Sequence, residues 1–299
     1  MIPQPRATIV VITRDRRDEL LATLAHTVDL PDTCPVIVVD NASRDGTGDA
    51  VASRFPQVTL IRANRNLGSL GRNLAVSRVT TPYVVFCDDD THWQAGAIDR
   101  AVKLLDTHPG LATVTGRCLV APGLAEDPIT PELRYSPVPG PDWLPGPALM
   151  GIMAGLTVFR VSAFRAVGGF HARLWFGGEE ELLALDLAAA GWWMCWAEDV
   201  IVHHLPSTRR DSTERRRLGI RNTLWTSWLR RPAGVAVRHS ARVVRSAPRD
   251  ADTARATAAA LAGLPWVLAS RRVLRPHVER RVRSLEASQR ASVARRYVG

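Results

Sequence analysis

The apolar positions of this chain fall into short unbroken runs instead of alternating ones. "ATIVVIT" (7–13), "PVIVVD" (35–40), "VTLIRA" (58–63), "PYVVFC" (82–87) and "LATVTG" (111–116) each predict a strand hydrophobic on both faces. Helix-compatible segments lie between them, at 15–28, in the second half of 64–79, and at 95–107. Such strands, separated by helices, predict βαβ units on a mainly parallel sheet covered on both sides. The Pro- and Gly-rich residues 117–147 predict a loop over that sheet. "GLTVFRVSAFRAVGGF" (155–170) predicts a strand, a short helix and a tight turn at Gly168–Gly169. A helix beginning near Glu179 turns Leu182, Leu183, Leu185 and Leu187 inward and stops at Gly191. "VIVHH" (200–204) predicts a last short strand. After Pro206 the pattern predicts a mobile loop, an amphipathic helix to about 232, and helices at 234–246, 251–273 and 277–296.

With 299 residues, 46% of them hydrophobic, the chain can bury a sizeable core and is neither disordered nor fibrous. Its net charge of +10 is divided unevenly. Residues 1–204 carry a balance of −6, whereas 205–299 carry +16, with arginine in place of lysine throughout. A basic, Trp- and Leu-bearing tail suits peripheral contact with an anionic membrane surface. Packing against the rest of the chain is the plainer alternative. A nucleic-acid binder is disfavoured, because no recognised nucleic-acid motif or aromatic platform accompanies the arginines. The first residues lack a signal-peptide pattern, no run of 18 apolar residues exists, and Cys34, Cys87, Cys118 and Cys195 are scattered. Together these predict a cytoplasmic, reducing location, peripheral to the inner face of the membrane if the tail binds lipid.

Ligands of open parallel sheets bind at the carboxyl ends of the strands. Asp40, Asn64 to Asn66 and Asp88-Asp89-Asp90 all fall there. Three adjacent carboxylates repel one another, so they make either a solvated turn or a cation site.

"VITRDR", "VVDNASRDGT", "NRNLGSLGRN", "FCDDD", "AVGGFHARLWFGGEEELLALDLAAAGW" and "VIVHH" occur in the order and spacing of inverting family-2 glycosyltransferases. The resemblance covers roughly residues 7–230. It implies a GT-A nucleotide-sugar-binding α/β domain over 1–230, with an Arg-rich helical extension over 231–299. It makes Asp88 to Asp90 the metal-binding DxD element, with Asp90 a direct ligand of Mn2+ or Mg2+. Asp88 would lie nearer the ribose or a metal-bound water, Asp89 beside the donor, and His203 would complete the metal site. An imidazole ligand tilts the preference toward manganese.

By the same likeness Thr13, Asp40 and Asn66 would contact the nucleotide, Asp40 at its base or ribose, while Arg72 (or Asn73) would face the diphosphate and Arg217 or Arg221 would reach it from the C-terminal side. Asp40 could equally form an Asx turn with Asn41 and Ser43. The chain departs from the family at the general base. Where Gly-Glu-Asp is usual it reads Gly178-Glu179-Glu180-Glu181, placing Glu180 in the aspartate's position with Glu179 second. The implied reaction moves a sugar from a nucleotide-diphosphate donor to a hydroxyl acceptor on an envelope glycan, a lipid-linked glycan or a small molecule. The processive QxxRW element is absent, which favours single additions. The Glu-for-Asp exchange leaves a catalytically inactive donor- or partner-binding homologue as the alternative.

Overall fold

The computed structural model describes residues 4–206 and 212–289. The start of the expected mobile loop (207–211) and the end of the last expected helix (290–296) lie outside the described residues. Nine strands share one sheet: β1 (Ala7–Thr13), β2 (Val36–Asp40), β3 (Thr59–Arg62), β4 (Tyr83–Asp88), β5 (Thr91–Trp93), β6 (Leu111–Val120), β7 (Ala125–Glu126), β8 (Thr157–Arg160) and β9 (Trp193–His204). Their order is β3-β2-β1-β4-β8-β6-β9-β5, with β7 attached to β6. The pairs β3–β2, β2–β1, β1–β4 and β6–β9 are parallel; β8, β5 and β7 run against their neighbours.

The unbroken apolar runs have a direct explanation. Side chains alternate across a strand, so a strand covered on both faces needs hydrophobic residues at every position. Val10, Val39 and Phe86 enter one core, while Ile9, Val11, Val38 and Val85 enter the other. Helices α1 (Arg17–Val28), α2 (Thr47–Arg54) and α4 (Ala97–Thr107) cover the second face through Leu20, Leu24, Val51, Ile98 and Leu105. The first face is covered by α3 (Leu70–Val76), α6 (Val161–Ala166) and α7 (Glu179–Ala189), through Ala75, Phe164, Leu183 and Leu187. The short α5 (Thr130–Arg134) follows β7.

Several expected boundaries move. The first helix starts at Arg17, because Asp15 takes a left-handed φ of 51° and its carboxylate accepts from the Arg44 amide. The "loop" 117–147 contributes the end of β6, β7 and α5, and the "last short strand" is the end of the twelve-residue β9. β5 was not anticipated; its three residues are held by antiparallel pairing with β9.

The C-terminal helices are α8 (Ser212–Arg230), α9 (Ala233–Ser246), α10 (Ala251–Ala262), α11 (Leu264–Ala269) and α12 (Pro276–Gln289). The single helix expected over 251–273 is broken at Gly263. A Cβ there would lie 2.5 Å from the Trp225 ring, so the close crossing of α8 requires glycine. Leu224, Trp225 and Leu229 of α8 pack with Leu174, Leu182, Ala260 and Val267. Val278 and Val282 of α12 join the first sheet core. None of the described helices is long and apolar enough to cross a membrane.

Arg231, 1% exposed, fixes this arrangement. Its Nη2 donates to Glu279 Oε1 at 2.9 Å and its Nη1 to Glu286. Removing one partner of a buried pair leaves an uncompensated charge, at a cost of about 3–5 kcal/mol. Arg231→Ala should lose about that much stability in chemical denaturation; a loss below about 1 kcal/mol would show that α12 does not depend on this pair.

Candidate active site

The parallel register aligns the strand tips: Thr13 pairs with Asp40, and Ile12 with Asp88. At the end of β1 the buried Thr13 hydroxyl donates to Asp89 Oδ2 at 2.9 Å. Arg16, just before α1, donates to Asp89 Oδ1 and, at 3.0 Å, to Asp90 Oδ2. One guanidinium thus spans two of the three adjacent acids. Burial still pushes the Asp89 carboxyl up to about 7, against the pull of Arg16 and Thr13.

Asp88 faces elsewhere. Its side chain is 41% exposed, and its Oδ1 accepts from Arg72 Nη2 at 2.5 Å. Arg72 of α3 is itself buried, its guanidinium 5.7 Å from the ring centroids of both Phe86 and Phe170. A weakly hydrated guanidinium between aromatic faces tolerates such burial better than an ammonium would.

The third acidic element is the first turn of α7. Gly177 and Gly178 precede it with φ of 79° and 85°. Four leucines of α7 are buried, each contributing about 1.5–3 kcal/mol. That burial is large enough to hold the helix in place although Glu179 is drawn out of water with it. Glu180 Oε1 accepts the Ala154 amide at 2.6 Å. The adjacent Gly155 packs on Asp88, where a Cβ would sit 2.6 Å from Oδ2. The short 3-10 turn Ala154–Leu156 therefore separates the Glu180 carboxyl from the Asp88 carboxyl by little more than backbone.

Burial, and then the neighbouring Glu179 charge, push Glu180 up to about 8. Glu179 is raised too, by burial and against the attraction of Arg72 and Arg215. Two such neighbours titrate as a pair.

Loop 171–178 is fastened from two sides. The Trp175 carbonyl accepts from the Ser69 amide and hydroxyl, both at 2.8 Å, while Trp175 adopts a φ of 56°. A Cβ at Gly68 would lie 2.5 Å from that carbonyl, which explains the glycine. From α8, the fully buried Asn222 amide donates to the carbonyls of Leu174 (2.8 Å), Phe176 (3.1 Å) and Gly177 (2.6 Å). Sequence reasoning missed Asn222, Arg16 and the Ala154 amide; a polar residue on the apolar face of α8 was the available signal for Asn222.

The remaining expected residues are dispersed. Asp40 Oδ1 accepts the Ser43 amide at 2.8 Å, forming the Asx turn, two strands away from β4. Asn66 caps its own loop through the Gly68 amide at 2.9 Å, and Asn73 is engaged with the Phe170 backbone. Arg217 lies 3.9 Å from Glu214, and Arg221 stacks 4.4 Å from the Trp225 ring centroid. The α8 arginine whose charge reaches Glu179 is Arg215, which lies over Phe176 at 5.1 Å. His203 stacks on His92 at 5.0 Å, and His92 on His26 at 4.6 Å. His204 instead has Nε2 3.8 Å from Asp90 Oδ2. The two histidines alternate across β9, where His203 pairs with His92 and His204 with Thr91 of β5.

An α/β sheet with acids at its strand tips and a second acid pair at the start of α7 is the layout of a GT-A glycosyltransferase. Residues 8–168 match Glycosyl transferase family 2, and the chain belongs to that family. A Mycobacterium tuberculosis N-acetylglucosaminyl-diphospho-decaprenol L-rhamnosyltransferase is 27% identical over 235 residues, spanning 65% of this chain and 74% of that one. The mannosyltransferase PcManGT from Pyrobaculum calidifontis, solved with GDP-Man and Mn2+, superposes with a TM-score of 0.58 at 23% identity, covering 97% of this chain and 77% of that one. GalNAc-T7, solved with UDP, GalNAc and Mn2+, superposes with a TM-score of 0.62 at 10% identity, covering 85% of this chain and 54% of that one.

A carboxyl whose folded pKa is raised holds a proton that the unfolded chain has released. Stability tied to Glu180 is therefore full below its ordinary value of 4.5 and is lost as pH rises through about 8. Glu180→Gln should melt at a higher temperature than the parent at about pH 8.5 and show little gain at about pH 4. An equal shift at both pH values would contradict the raised carboxyl.

Proposed function

We propose that this glycosyltransferase moves a sugar from a nucleotide-diphosphate donor to an acceptor hydroxyl in one inverting displacement, with Glu180 as general base. The observation that carries the reading is the turn Ala154–Leu156, which contacts Glu180 on one side and Asp88 on the other. That spacing suits an acceptor entering beside Glu180 while the donor diphosphate lies against the aspartates. Glu180 accepts the hydroxyl proton as the oxygen attacks the anomeric carbon from the face opposite the diphosphate. The Glu179 charge raises the proton affinity of Glu180, and Arg72 offsets part of the repulsion among the pair and Asp88. A pKa near 8 is within the range useful to a general base at physiological pH.

Two carboxylates at one strand tip, Asp88 and Asp90, and an imidazole 3.8 Å from Asp90 are the donor types a divalent cation takes. Asp88, Asp90 and His204 would hold it, His204 taking the place expected for His203. When bound, Mn2+ or Mg2+ supplies the positive charge that stabilises a leaving diphosphate, and the imidazole favours Mn2+. Thr13 and Arg16 orient Asp89 and Asp90; Arg215 is the α8 arginine best sited for the donor phosphates. Asp40, Asn66, Arg217 and Arg221 keep a role only at the nucleotide's periphery.

The similarity to a lipid-linked rhamnosyltransferase supports a lipid-linked envelope acceptor. So does the surface of the 231–299 extension. Exposed Val244 and Leu261 line a shallow groove with Arg245 and Arg249, an apolar strip rimmed by cations suited to an anionic leaflet at the inner membrane face. Vesicles of phosphatidylglycerol should float the full chain at low salt and release it at high salt, and Arg245→Ala/Arg249→Ala should weaken the association. Salt-independent binding, or none, would remove the membrane contact.

Glu180→Gln should lower transfer by about 10²–10⁴-fold while sparing Mn2+-dependent binding of the donor selected from a nucleotide-sugar panel. Full transfer by that variant would overturn the assignment. Donor binding by the parent with no turnover would make the chain a nucleotide-sugar-binding homologue.

A further inference from the structure

A second group of metal-ligating side chains borders the aspartate cluster. Cys118 of β6 pairs with Val202 of β9, and Val120 with His204. Residues two apart on a strand share a face, so Cys118 and His204 are diagonal neighbours on one side of the sheet. Asp127, just beyond β7, is brought to the same point by its backbone. Its amide donates to the Cys118 carbonyl at 3.0 Å, and its Oδ1 accepts the Ile129 amide at 2.9 Å. Cys118 Sγ, a carboxylate oxygen of Asp127 and a ring nitrogen of His204 lie within 4.8 Å of one another.

We propose that Cys118, Asp127 and His204 form a zinc site, distinct from the donor-cation carboxylates and linked to them through His204. One sulfur, one oxygen and one nitrogen donor suit Zn2+, whereas Mg2+ and Mn2+ favour oxygen-rich sets. Donor atoms around tetrahedral zinc lie about 3.3–3.8 Å apart. The three side chains therefore need to close by about 1 Å, within reach of small torsional changes. A fourth position is left for water. Binding replaces the Cys118 S–H bond with a sulfur–zinc bond and releases that proton to solvent; no redox partner is involved.

One consequence rests on the functional reading given above. If His204 serves the donor's cation, zinc at Cys118 draws the same imidazole away, and Zn2+ inhibits Mn2+-supported transfer. Cys118→Ser would then be less sensitive to zinc.

The direct test needs no sugar substrate. The full chain is titrated with Zn2+ against a chromophoric chelator, and separately with Co2+ while thiolate-to-metal charge transfer is recorded. The parent should retain zinc and show the cobalt–thiolate band. Cys118→Ser should lose the band, and both it and Asp127→Asn should bind zinc more than about tenfold more weakly. Asp88→Asn should leave zinc binding unchanged. Failure of the parent to retain zinc, or equal retention by Cys118→Ser, would overturn the site. Zinc retention with no effect on Mn2+-dependent donor binding would keep the site and overturn only the role of His204 toward the donor.

Discussion

Like charge crowded out of water is the constraint on which this site depends. Asp88, Asp89, Asp90, Glu179 and Glu180 converge from a strand tip and a helix start, and Asp89, Asp90 and Glu179 are buried. Such a cluster persists only if cations are placed as carefully as the acids. Arg16 spans Asp89 and Asp90, while Arg72, held between two phenylalanines, meets Asp88 and attracts the glutamate pair. The balance is incomplete: the Asp89 carboxyl is pushed up to about 7 and Glu180 to about 8, and Glu179 is raised as well.

The rest of the fold maintains that crowding. Two cores clamp the parallel strands so that their tips stay in register. Gly155 lets the backbone lie against Asp88, and the neighbouring amide fixes Glu180. Asn222 ties the loop before α7 to α8, which packs on α10 and α11 through Trp225, Ala260 and Val267. The C-terminal helices thus brace the start of α7, which carries the glutamates.

Much of this was legible in sequence because its physical cause is local. Strands buried on both faces must be apolar at every position, so β1, β2 and β4 announce themselves, and Gly178 and Gly191 bracket α7. What escaped depends on distant partners. β5 exists through β9, and that pairing sets His203 against His92 and His204 against Thr91. Helix phase brings the charge of Arg215 to Glu179 and leaves Arg217 beside Glu214 and Arg221 over Trp225. Gly263 could be recognised as a helix break only once Trp225 was seen across it.

The retained proton is open to direct observation. In protein labelled with 13C at the glutamate carboxyls, a pH titration followed by NMR should show a carboxyl transition with its midpoint near 8, and that transition should be missing from Glu180→Gln. If every glutamate carboxyl in the parent were fully ionised by about pH 6, the acid pair would not be held as described.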